Sequence, residues 1–258
     1  MNELQALIFD VDGTLADTED VHRVAFNRAF AQSGINWEWS PALYGQLLAV
    51  TGGKERIRHY ITHYQPGYVN QARLADFAAE LHQIKTAIYT QMLDGGEIPL
   101  RPGVERLLRE AREQGLKLAI ATTTTLANVE ALINNALEPA AMDWFDVVGA
   151  GDVVPRKKPA SDIYDYVLQR LQLPPQCCMA IEDSENGIRA SAGAHLKTII
   201  TVNHYTKDHD FTGAVIVLDH MGEPGNSFKV LCGNGFGHTY LNLELIKKLH
   251  QNYDERRN

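Results

Sequence analysis

The sequence has few cysteines, no excess of positive charge and no long apolar run. Its 3 cysteines are an odd number and Cys177 and Cys178 are adjacent, which favours neither a disulfide framework nor a zinc site. This pair precedes a short apolar stretch, where we expect both side chains to be buried in a strand. With 24 basic against 32 acidic side chains, a general nucleic-acid or anionic-membrane surface is not expected, because phosphate groups need clustered Lys and Arg.

Length and the remaining composition favour a cytoplasmic protein that acts on a small molecule. No stretch approaches the length of a membrane span, and the first residues lack the basic start and apolar region of a signal peptide. At 258 residues and 45% apolar content, the chain can bury a full α/β core and have length left for a second small domain. We expect a monomer or weak homodimer that binds neither nucleic acid nor a membrane.

The stretch from residue 6 to residue 15 combines a buried strand with two carboxylates. Residues 6–9 form an apolar run typical of a strand covered on both faces, and Gly13 lets the chain turn sharply after it. Asp10 and Asp12 therefore follow the carboxyl end of the strand, where ligands bind in open α/β sheets, and alternation puts both on one side. Neighbouring carboxylates repel, so they need a cation or a shared proton, and a magnesium ion with a phosphoryl group meets that need.

The motif from Asp10 to Thr14 has two interpretations. Asp and Gly are common in turns after strands, and DxDG alone is a weak signal. The full DxDGT pentapeptide after an apolar strand is more specific, and it resembles the first motif of the haloacid dehalogenase superfamily of phosphohydrolases. The resemblance implies that Asp10 attacks phosphorus as a nucleophile and that Asp12 supplies and removes protons. Asp12 also argues against a dehalogenase, because a halide leaving group needs no acid.

Residues 17 to about 92 have helical spacing and no strand signal. The pattern predicts a helix that ends at Gly34 and further helices over 42–50, 54–64 and 71–93. The superfamily resemblance implies that this block is a four-helix cap that closes over the substrate, with hinges near Ala16 and near Asp94-Gly95-Gly96. The two glycines suit a hinge, although they suit a plain turn equally well. We therefore divide the chain into a catalytic core, residues 1–16 and 95–258, and a helical cap, residues 17–94.

After Arg101, predicted strands and helices alternate. Buried strands are predicted over 116–121, 144–148, 179–181 and 198–202, and an edge strand over 214–217. This alternation indicates an α/β fold with a doubly wound parallel sheet, and the resemblance implies the superfamily's Rossmann-like core with an inserted cap. The Gly-rich stretch 232–238 lacks the spacing and frame of a dinucleotide-binding fingerprint, so we interpret it as a loop or strand turn. The last four residues are predicted to be frayed.

Two further strand ends carry candidate catalytic groups. Thr122 follows a strand, where its hydroxyl and the next backbone amides, beginning with Thr123, can donate to phosphoryl oxygens, although four successive threonines would equally cap the next helix. Lys158 precedes a proline that starts a helix, where it can neutralise aspartate and phosphoryl charge, although basic runs are usually solvated loops. The strand-end threonine resembles the superfamily's second motif. The KPxxxIY arrangement matches its third and assigns the catalytic role to Lys158 rather than Lys157.

Glu182 and Asp183 follow another predicted strand. Paired acids before a helix could merely complement the helix dipole. Together with Asp10, however, they make an oxygen-rich Mg²⁺ site more plausible, since Mg²⁺ prefers a few carboxylates with water and phosphate oxygens. The superfamily's fourth motif implies that Asp183 binds Mg²⁺ directly, Glu182 directly or through water, and Asp12 through its backbone carbonyl.

The predicted cap carries candidate substrate-binding residues in two groups. One is a pair of glycines with two cations near a helix start, where bare amides can bind an anion. The other is a pair at i and i+3 on one helix face, which would add to the same positive charge. Singly, such residues are more often surface residues, whereas together in a cap over a phosphate site they indicate a second phosphate. The candidates are Gly52, Gly53, Lys54 and Arg56, followed by His82 and Lys85.

The resemblance narrows to the CbbY-like proteins, the xylulose-1,5-bisphosphate phosphatases associated with the Calvin cycle. The matching stretches are FDVDGTLADTE, TGGKERI, HQIK, GEIPLRPG, LAIATTTT, KKPASDIY and IEDSENGIRAS, and the resemblance fades after about Asp210. It implies that the substrate is a small sugar phosphate whose hydroxyls face Glu19. The cap candidates and Asn128 would then hold the rest of the substrate.

Two other functions remain open. A sugar-phosphate mutase of the β-phosphoglucomutase type would use the same aspartates, also handle a bisphosphate and retain the phosphate in its product. A phospho-acceptor regulatory protein would stay phosphorylated at Asp10 and signal by its change of shape. The DxD pair and the cap argue against the regulatory protein, and turnover distinguishes the three.

Overall fold

The computed structural model describes residues 3–94, 98–138 and 140–252, and within these ranges the chain forms one seven-stranded sheet. The strands are β1 (Ala6–Phe9), β2 (Lys117–Ala121), β3 (Val147–Gly149), β4 (Cys178–Glu182), β5 (Lys197–Thr201), β6 (Ile216–Leu218) and β7 (Val230–Gly233). Their order is β3-β2-β1-β4-β5-β6-β7, with parallel pairing throughout except between β6 and β7. The α/β class with a mostly parallel sheet is therefore confirmed.

Nine α-helices lie in the described parts of the chain. They are α1 (Glu19–Gln32), α2 (Pro41–Leu47), α3 (Gly53–Tyr64), α4 (Leu74–Asp94), α5 (Val104–Glu113), α6 (Leu126–Ala136), α7 (Asp162–Leu171), α8 (Glu185–Gly193) and α9 (Leu243–Asn252). Helices α5 to α8 alternate with the parallel strands, as crossover connections in a parallel sheet require.

Alternation along β1 divides the hydrophobic core between the two faces of the sheet. Leu7 and Phe9 belong to a cluster with side chains of α5, α6 and α9. Ala6 and Ile8 belong to a second cluster with side chains of α7 and α8. A strand covered on both faces has no solvated position, which explains why its sequence is apolar throughout.

Helices α1 to α4, interposed between β1 and β2, contribute a separate hydrophobic cluster. Phe26, Phe30, Trp37 and Trp39 are its aromatic centre, with the Phe26 and Trp39 rings 4.7 Å apart and the Phe30 and Trp37 rings 5.5 Å apart. Such rings bury about 150–250 Å² each, so this cluster contributes strongly to stability. The assignment of residues 17–94 to a separate domain stays a prediction. The predicted hinge glycines at 95 and 96 and the predicted frayed end at 255–258 lie outside the described residues.

The third strand is displaced from its predicted position at 144–148. Ala141–Trp144 form a 3₁₀ turn, and the strand begins only at Val147. Trp144 is buried, and the guanidinium groups of Arg109 and Arg112 lie 4.8 Å and 4.4 Å from its ring. Its apolar character therefore reflects packing beside the strand and not pairing within it.

The prediction of an edge strand at 214–217 is wrong in position and in placement. Strand β6 begins at Ile216, is buried throughout, and pairs with the exposed strand β7 on its outer side. Strand β7 includes the first two residues of the Gly-rich stretch 232–238, whose remaining residues form a loop as predicted. Gly233 ends it with a φ of 97°, and a Cβ there would lie 2.9 Å from the Val215 carbonyl oxygen. A glycine is therefore needed for this close pairing.

The remaining sequence expectations concern cysteines and membranes. Cys177 and Cys178 are both buried, Cys178 in β4 and Cys177 in the short turn before it. Among the described helices, none combines the length and the apolarity that crossing a membrane requires.

Candidate active site

The carboxyl ends of β1, β2 and β4 and the loop after β3 face helices α1, α3 and α4 across a cavity of about 440 Å³. The cavity lies where the strand order reverses, between β1 and β4, and such switch points leave a crevice for ligands. The predicted site residues that line it are Asp10, Asp12, Glu19, Gly52, Gly53, Arg56, His82, Lys85, Thr122, Thr123, Asn128, Lys158 and Asp183. Two predicted site residues do not line the cavity, namely Lys54 and Glu182, which is fully buried at the end of β4.

Lys158 joins two buried carboxylates. Its Nζ donates to Asp10 Oδ1 at 2.7 Å and to Glu182 Oε1 at 2.6 Å. The hydroxyl of Tyr164 in α7 donates to the same Glu182 oxygen at 2.5 Å. Burial alone would lower the pKa of Lys158, but Asp10 and Glu182 raise it above its ordinary value, so Lys158 stays a cation. These bonds compensate for the hydration that the buried charges lose.

Asp10, Glu182 and Asp183 form a buried cluster with carboxylate oxygens within 4.8 Å of one another. Burial raises the pKa of Asp10 to about 7, against the attraction of Lys158 and with the help of Glu182. Burial and the charges of Asp10 and Glu182 raise the pKa of Asp183 well above its ordinary value. Lys158 alone therefore does not neutralise the cluster. An oxygen-rich, electron-rich donor set of this kind fits a divalent cation such as Mg²⁺.

Two glycines allow the backbone to approach these carboxylates. Gly13 has a φ of 83°, and a Cβ at this position would collide with the side chains of Asp183 and Asn203. At Gly187 in α8, a Cβ would overlap the carboxylate of Glu182. Asn203 Nδ2 in turn donates to Asp183 Oδ2 at 2.6 Å. The glycines of the first and fourth motifs are thus required by the packing around the carboxylate cluster.

Asp12 has a different set of partners from Asp10. Thr18 Oγ1 donates to Asp12 Oδ1 at 2.6 Å, and His22 Nε2 lies 2.9 Å from the same oxygen. Lys85 Nζ lies 2.5 Å from His22 Nδ1. Because an ammonium group can only donate, His22 Nδ1 accepts from Lys85⁺ and His22 Nε2–H donates to Asp12. A chain of hydrogen bonds therefore runs from α4 through α1 to Asp12.

The protonation states along this chain differ. Burial opposes the ionisation of Asp12, but His22 and Thr18 hold its pKa well below the ordinary range, so its carboxylate is charged at neutral pH. Burial lowers the pKa of Lys85 to about 7, against the attraction of Asp12. Burial also lowers the pKa of His22, with Lys85 adding to the effect and Asp12 opposing it. Asp12 is therefore prepared to accept a proton.

The threonine run and Asn128 form one side of the cavity. Thr122 Oγ1 accepts a bond from the Thr124 backbone amide at 3.2 Å, which leaves its hydroxyl hydrogen to donate. Thr125 caps helix α6, because its side chain accepts a hydrogen bond from the backbone N–H of Asn128. Asn128 Nδ2 donates to Thr124 Oγ1 at 2.8 Å, whereas Asn128 Oδ1 is buried and has no partner among the described residues. The capping interpretation of the run thus applies to Thr125, and the donor role of Thr122 stays a prediction.

Glu19, Tyr44 and Arg56 form a hydrogen-bonded chain on the opposite side. The Tyr44 hydroxyl donates to Glu19 Oε2 at 2.9 Å and accepts from Arg56 Nη1 at 2.9 Å. Arg56 Nε also donates to the carbonyl oxygens of Leu47 and Val50, at 3.2 and 3.3 Å. Arg56 therefore orders the loop before α3 while it lines the cavity.

Two predicted cationic residues differ from expectation. Burial lowers the pKa of His82 to about 3, and Lys85 and Lys54 add to the effect, so His82 is neutral and supplies no positive charge. Lys54 forms an ion pair with Asp152 instead of lining the cavity. The predicted positive charge on this side comes from Arg56 and, in its protonated form, Lys85.

Sequence reasoning missed four residues that hold the catalytic candidates. Thr18 lies inside the stretch FDVDGTLADTE, and His22 follows it by four residues on the same face of α1. Tyr164 is the last residue of KPxxxIY. Asn203 follows β5, so its position beyond a strand end was a usable signal.

Comparisons with known proteins identify the family of the chain. A family model described as haloacid dehalogenase-like hydrolase matches residues 4–195. The plasmid-encoded protein CbbY of Cupriavidus necator is 43% identical over 250 residues, which are 96% of this chain and 97% of that protein.

Two solved structures share the fold. A D10N variant of CbbY from Rhodobacter sphaeroides, in complex with xylulose-1,5-bisphosphate, is 45% identical with a TM-score of 0.80 over 86% of this chain and 96% of its own. A β-phosphoglucomutase from Clostridium difficile is 20% identical with a TM-score of 0.75 over 98% of this chain and 100% of its own. At that identity the second structure supports the fold alone.

Proposed function

Because the chain belongs to the haloacid dehalogenase-like hydrolases and is a phosphatase of the CbbY type, we propose that it hydrolyses a sugar bisphosphate through an aspartyl phosphate on Asp10. We propose xylulose-1,5-bisphosphate as the substrate. The cytoplasmic location, the association with the Calvin cycle and the monomer or weak dimer stay predictions.

One observation carries the proposed chemistry. Asp10 and Asp12 both line the cavity, but Lys158 bonds Asp10 while Thr18 and His22 bond Asp12. One carboxylate thus lies in a cluster suited to phosphoryl transfer, and the other lies in a hydrogen-bond chain suited to proton transfer. Two such carboxylates supply the nucleophile and the acid–base group that phosphomonoester hydrolysis needs.

The reaction proceeds in two half-reactions. The negative phosphoryl group of the bound substrate raises the pKa of Asp12, so Asp12 takes up a proton when the substrate binds. A carboxylate oxygen of Asp10 attacks phosphorus, the bond from phosphorus to the sugar oxygen breaks, and Asp12 gives this proton to the leaving alkoxide. Asp12, now ionised, takes a proton from water, which attacks phosphorus and breaks the bond to Asp10. Inorganic phosphate leaves, and Asp12 again holds the proton that the next leaving group needs.

The charges around Asp10 support this role. Lys158 donates to the phosphoryl oxygens and to Asp10, which lowers the repulsion between the nucleophile and its target. The Thr122 hydroxyl and the Thr123 amide donate to the same phosphoryl group. Mg²⁺ held by Asp10, Glu182, Asp183 and the Asp12 carbonyl would supply the further positive charge that the raised pKa values of the cluster call for.

The opposite side of the cavity supports a sugar with a second phosphate. Arg56 is the buried cation closest in sequence to the Gly52-Gly53 amides, so these groups together suit a phosphate. Glu19 accepts hydrogen bonds, and Asn128 Oδ1 is a buried acceptor without a partner among the described residues, so both suit sugar hydroxyls.

The test is phosphate release with Mg²⁺ from xylulose-1,5-bisphosphate, ribulose-1,5-bisphosphate, fructose-1,6-bisphosphate and β-glucose-1-phosphate. We expect kcat/KM for xylulose-1,5-bisphosphate to exceed the others by about a hundredfold, which is roughly 2.7 kcal/mol of transition-state discrimination. Similar values for all four would refute the substrate assignment.

The control is Asp10→Asn, which removes the nucleophile and should abolish release, by roughly a thousandfold or more. Retained hydrolysis in this variant would contradict the mechanism. Isomerisation of β-glucose-1-phosphate without phosphate release would identify a mutase instead. A stable phosphoprotein without turnover would identify a phospho-acceptor regulatory protein.

A further inference from the structure

We infer that Asp152 and Asn186 are positioning residues that hold residues 49–54, here named the clamped segment, closed over the cavity. This inference rests on the proposed phosphatase function and adds two residues from the β-sheet part of the chain to it. The clamped segment contains Gly52 and Gly53, which line the cavity, and leads into α3. Neither Asp152 nor Asn186 holds a candidate catalytic group.

The first contact lies after β3. Lys54 Nζ forms an ion pair with Asp152 Oδ2, and Lys157 Nζ lies 2.7 Å from Asp152 Oδ1. Lys157 also donates to the Gly151 carbonyl, so Asp152 is held from its own side before it reaches Lys54. The hydrogen bonds from Lys157 and Lys54 lower the pKa of Asp152 to about 2, which keeps it charged across the physiological range.

The second contact lies at the start of α8. Asn186 Nδ2 donates to the Ala49 carbonyl at 3.1 Å and to Thr51 Oγ1 at 2.9 Å. Asn186 follows Asp183 by three residues and lines the same cavity. The clamped segment is therefore held at its beginning by the first turn of α8, close to Asp183, and at its end by the β3–α7 connection, which carries Lys158.

The backbone of the clamped segment lies close to α4 at Gly53. Gly52 has a φ of 94°, which favours glycine, and a Cβ at Gly53 would collide with the His82 ring. The backbone is thus pressed against α4 on one side while Asp152 and Asn186 hold it on the other. A ligand phosphate bound at these amides would be enclosed as long as both contacts are made.

The two contacts explain why Lys54 does not line the cavity. Its ammonium is used to hold the segment, so Gly52, Gly53 and Arg56 are left to contact the ligand. Loss of the clamp should therefore weaken binding of a ligand that reaches this segment. It should leave untouched a small phosphate ester that reaches only Asp10 and Lys158.

The experiment compares Asp152→Asn, Asn186→Ala and the double variant with wild type. For xylulose-1,5-bisphosphate we expect KM to rise about two- to fivefold in each single variant and about tenfold in the double variant, with kcat changed less than twofold. For p-nitrophenyl phosphate we expect kcat/KM to stay within twofold of wild type. Asp152→Glu keeps the negative charge, so its KM for xylulose-1,5-bisphosphate should return most of the way to the wild-type value.

Two matched controls use residues with similar bonds away from the clamped segment. Asp162→Asn removes the partner of Arg156, and Asn135→Ala removes a bond to the Ala131 carbonyl. Both should behave as wild type with either substrate.

A second readout does not depend on turnover. Amide hydrogen exchange over the clamped segment should quicken at least threefold in the double variant and stay unchanged in the controls. If amide exchange is unchanged in the double variant, Asp152 and Asn186 do not hold the clamped segment, and this conclusion does not depend on the identity of the substrate. If wild type fails to hydrolyse xylulose-1,5-bisphosphate while exchange quickens as expected, the clamp stands and the substrate proposal alone fails.

Discussion

Asp10 and Asp12 lie two residues apart, yet their surroundings shift their pKa values in opposite directions. Burial and Glu182 raise the pKa of Asp10 despite Lys158, whereas His22 and Thr18 lower that of Asp12. The difference comes from the partners of each carboxylate, which are Lys158 and Glu182 for Asp10 but Thr18 and His22 at the start of α1 for Asp12. Two carboxylates with different surroundings can take different roles in one reaction, which is what the proposed mechanism asks of them.

We predict that the hydrogen bond from Thr18 to Asp12 is needed for full activity. Thr18→Val has nearly the same shape but lacks the hydroxyl that donates to Asp12, whereas Thr18→Ser retains it. Loss of a hydrogen bond to a charged group costs about 1.5–3 kcal/mol, so kcat in Thr18→Val should fall roughly ten- to a hundredfold, measured by steady-state phosphate release.

The two Thr18 variants should also differ in the pH dependence of kcat. The Thr18 hydroxyl helps to lower the pKa of Asp12, so its removal raises that pKa. The acidic limb of the kcat profile should therefore move to higher pH in Thr18→Val and stay in place in Thr18→Ser. A fall in kcat with an unmoved limb would mean that Thr18 acts only through the fold.

Lys85 provides a stability prediction with a definite sign. Its pKa is lowered from 10.5 to about 7 by burial, so between these pH values the unfolded chain binds the proton that the folded chain releases. From about pH 7 towards pH 10, the contribution of Lys85 to the free energy of unfolding therefore rises by about 1.4 kcal/mol per pH unit. Lys85→Met should be more stable relative to wild type at about pH 6 than at about pH 9.5, in urea unfolding.

The control for Lys85 is Lys247→Met on the exposed face of α9, where Lys247 reaches Gln114. The free energy of unfolding of this variant should differ from that of wild type by the same amount at both pH values. A Lys85→Met variant with no pH dependence would contradict the lowered pKa.

At the scale of the elements, the site depends on how closely α8 approaches the end of β4. Glu182 ends β4, and α8 begins at Glu185. Gly187 lies in the first turn of α8 directly against the Glu182 carboxylate. The helix can therefore pack over the carboxylate only if this position has no side chain.

We predict that Gly187→Ala disturbs the metal site more than the fold. The added methyl group must displace Glu182 from its bonds to Lys158 and Tyr164, so the Mg²⁺ concentration for half-maximal activity should rise at least tenfold. Gly193→Ala in the same helix is the control, because its Cβ would lie 3.2 Å from Ser161 and far from the carboxylates. Equal Mg²⁺ requirements in both variants would refute the argument.

On the scale of the whole molecule, the ends of β1 and β4 bring Asp10, Glu182 and Asp183 together as one buried set of like charges. Asp183 has a pKa well above its ordinary value because burial, Asp10 and Glu182 disfavour its charge. Its ionised form is therefore destabilising in the folded chain above the ordinary pKa of a carboxyl group. A bound cation should remove that cost.

We predict that Mg²⁺ stabilises the protein at about pH 8. At a concentration about 100 times its Kd, a ligand that binds only the folded state adds about 2.7 kcal/mol, which corresponds to a rise in Tm of several degrees. Without Mg²⁺, Asp183→Asn should be more stable than wild type, and Mg²⁺ should raise its Tm less. NaCl of equal ionic strength is the control, and an equal rise with NaCl would show screening rather than binding.

The sequence alone determined the α/β class, the parallel strands, the family and the four motifs, because each depends on local patterns. An apolar run marks a strand buried on both faces, and a strand end places the next polar residue at the ligand edge. The carboxylates and Thr122 follow this rule, whereas Lys158 lies nine residues after the end of β3 and was recognised from its motif. Local pattern also misplaced the third strand at Trp144, because the same apolar side chain suits a buried turn.

Only the tertiary structure decided how the charges are shared. Lys85 of α4 reaches Asp12 only through His22, His82 is neutral because of its burial, and Lys54 is paired with a residue 98 positions away. The addition of β7 beyond β6 was likewise visible only from the antiparallel pairing of the two strands. Burial and contacts between elements set these properties, and no local sequence pattern reports them.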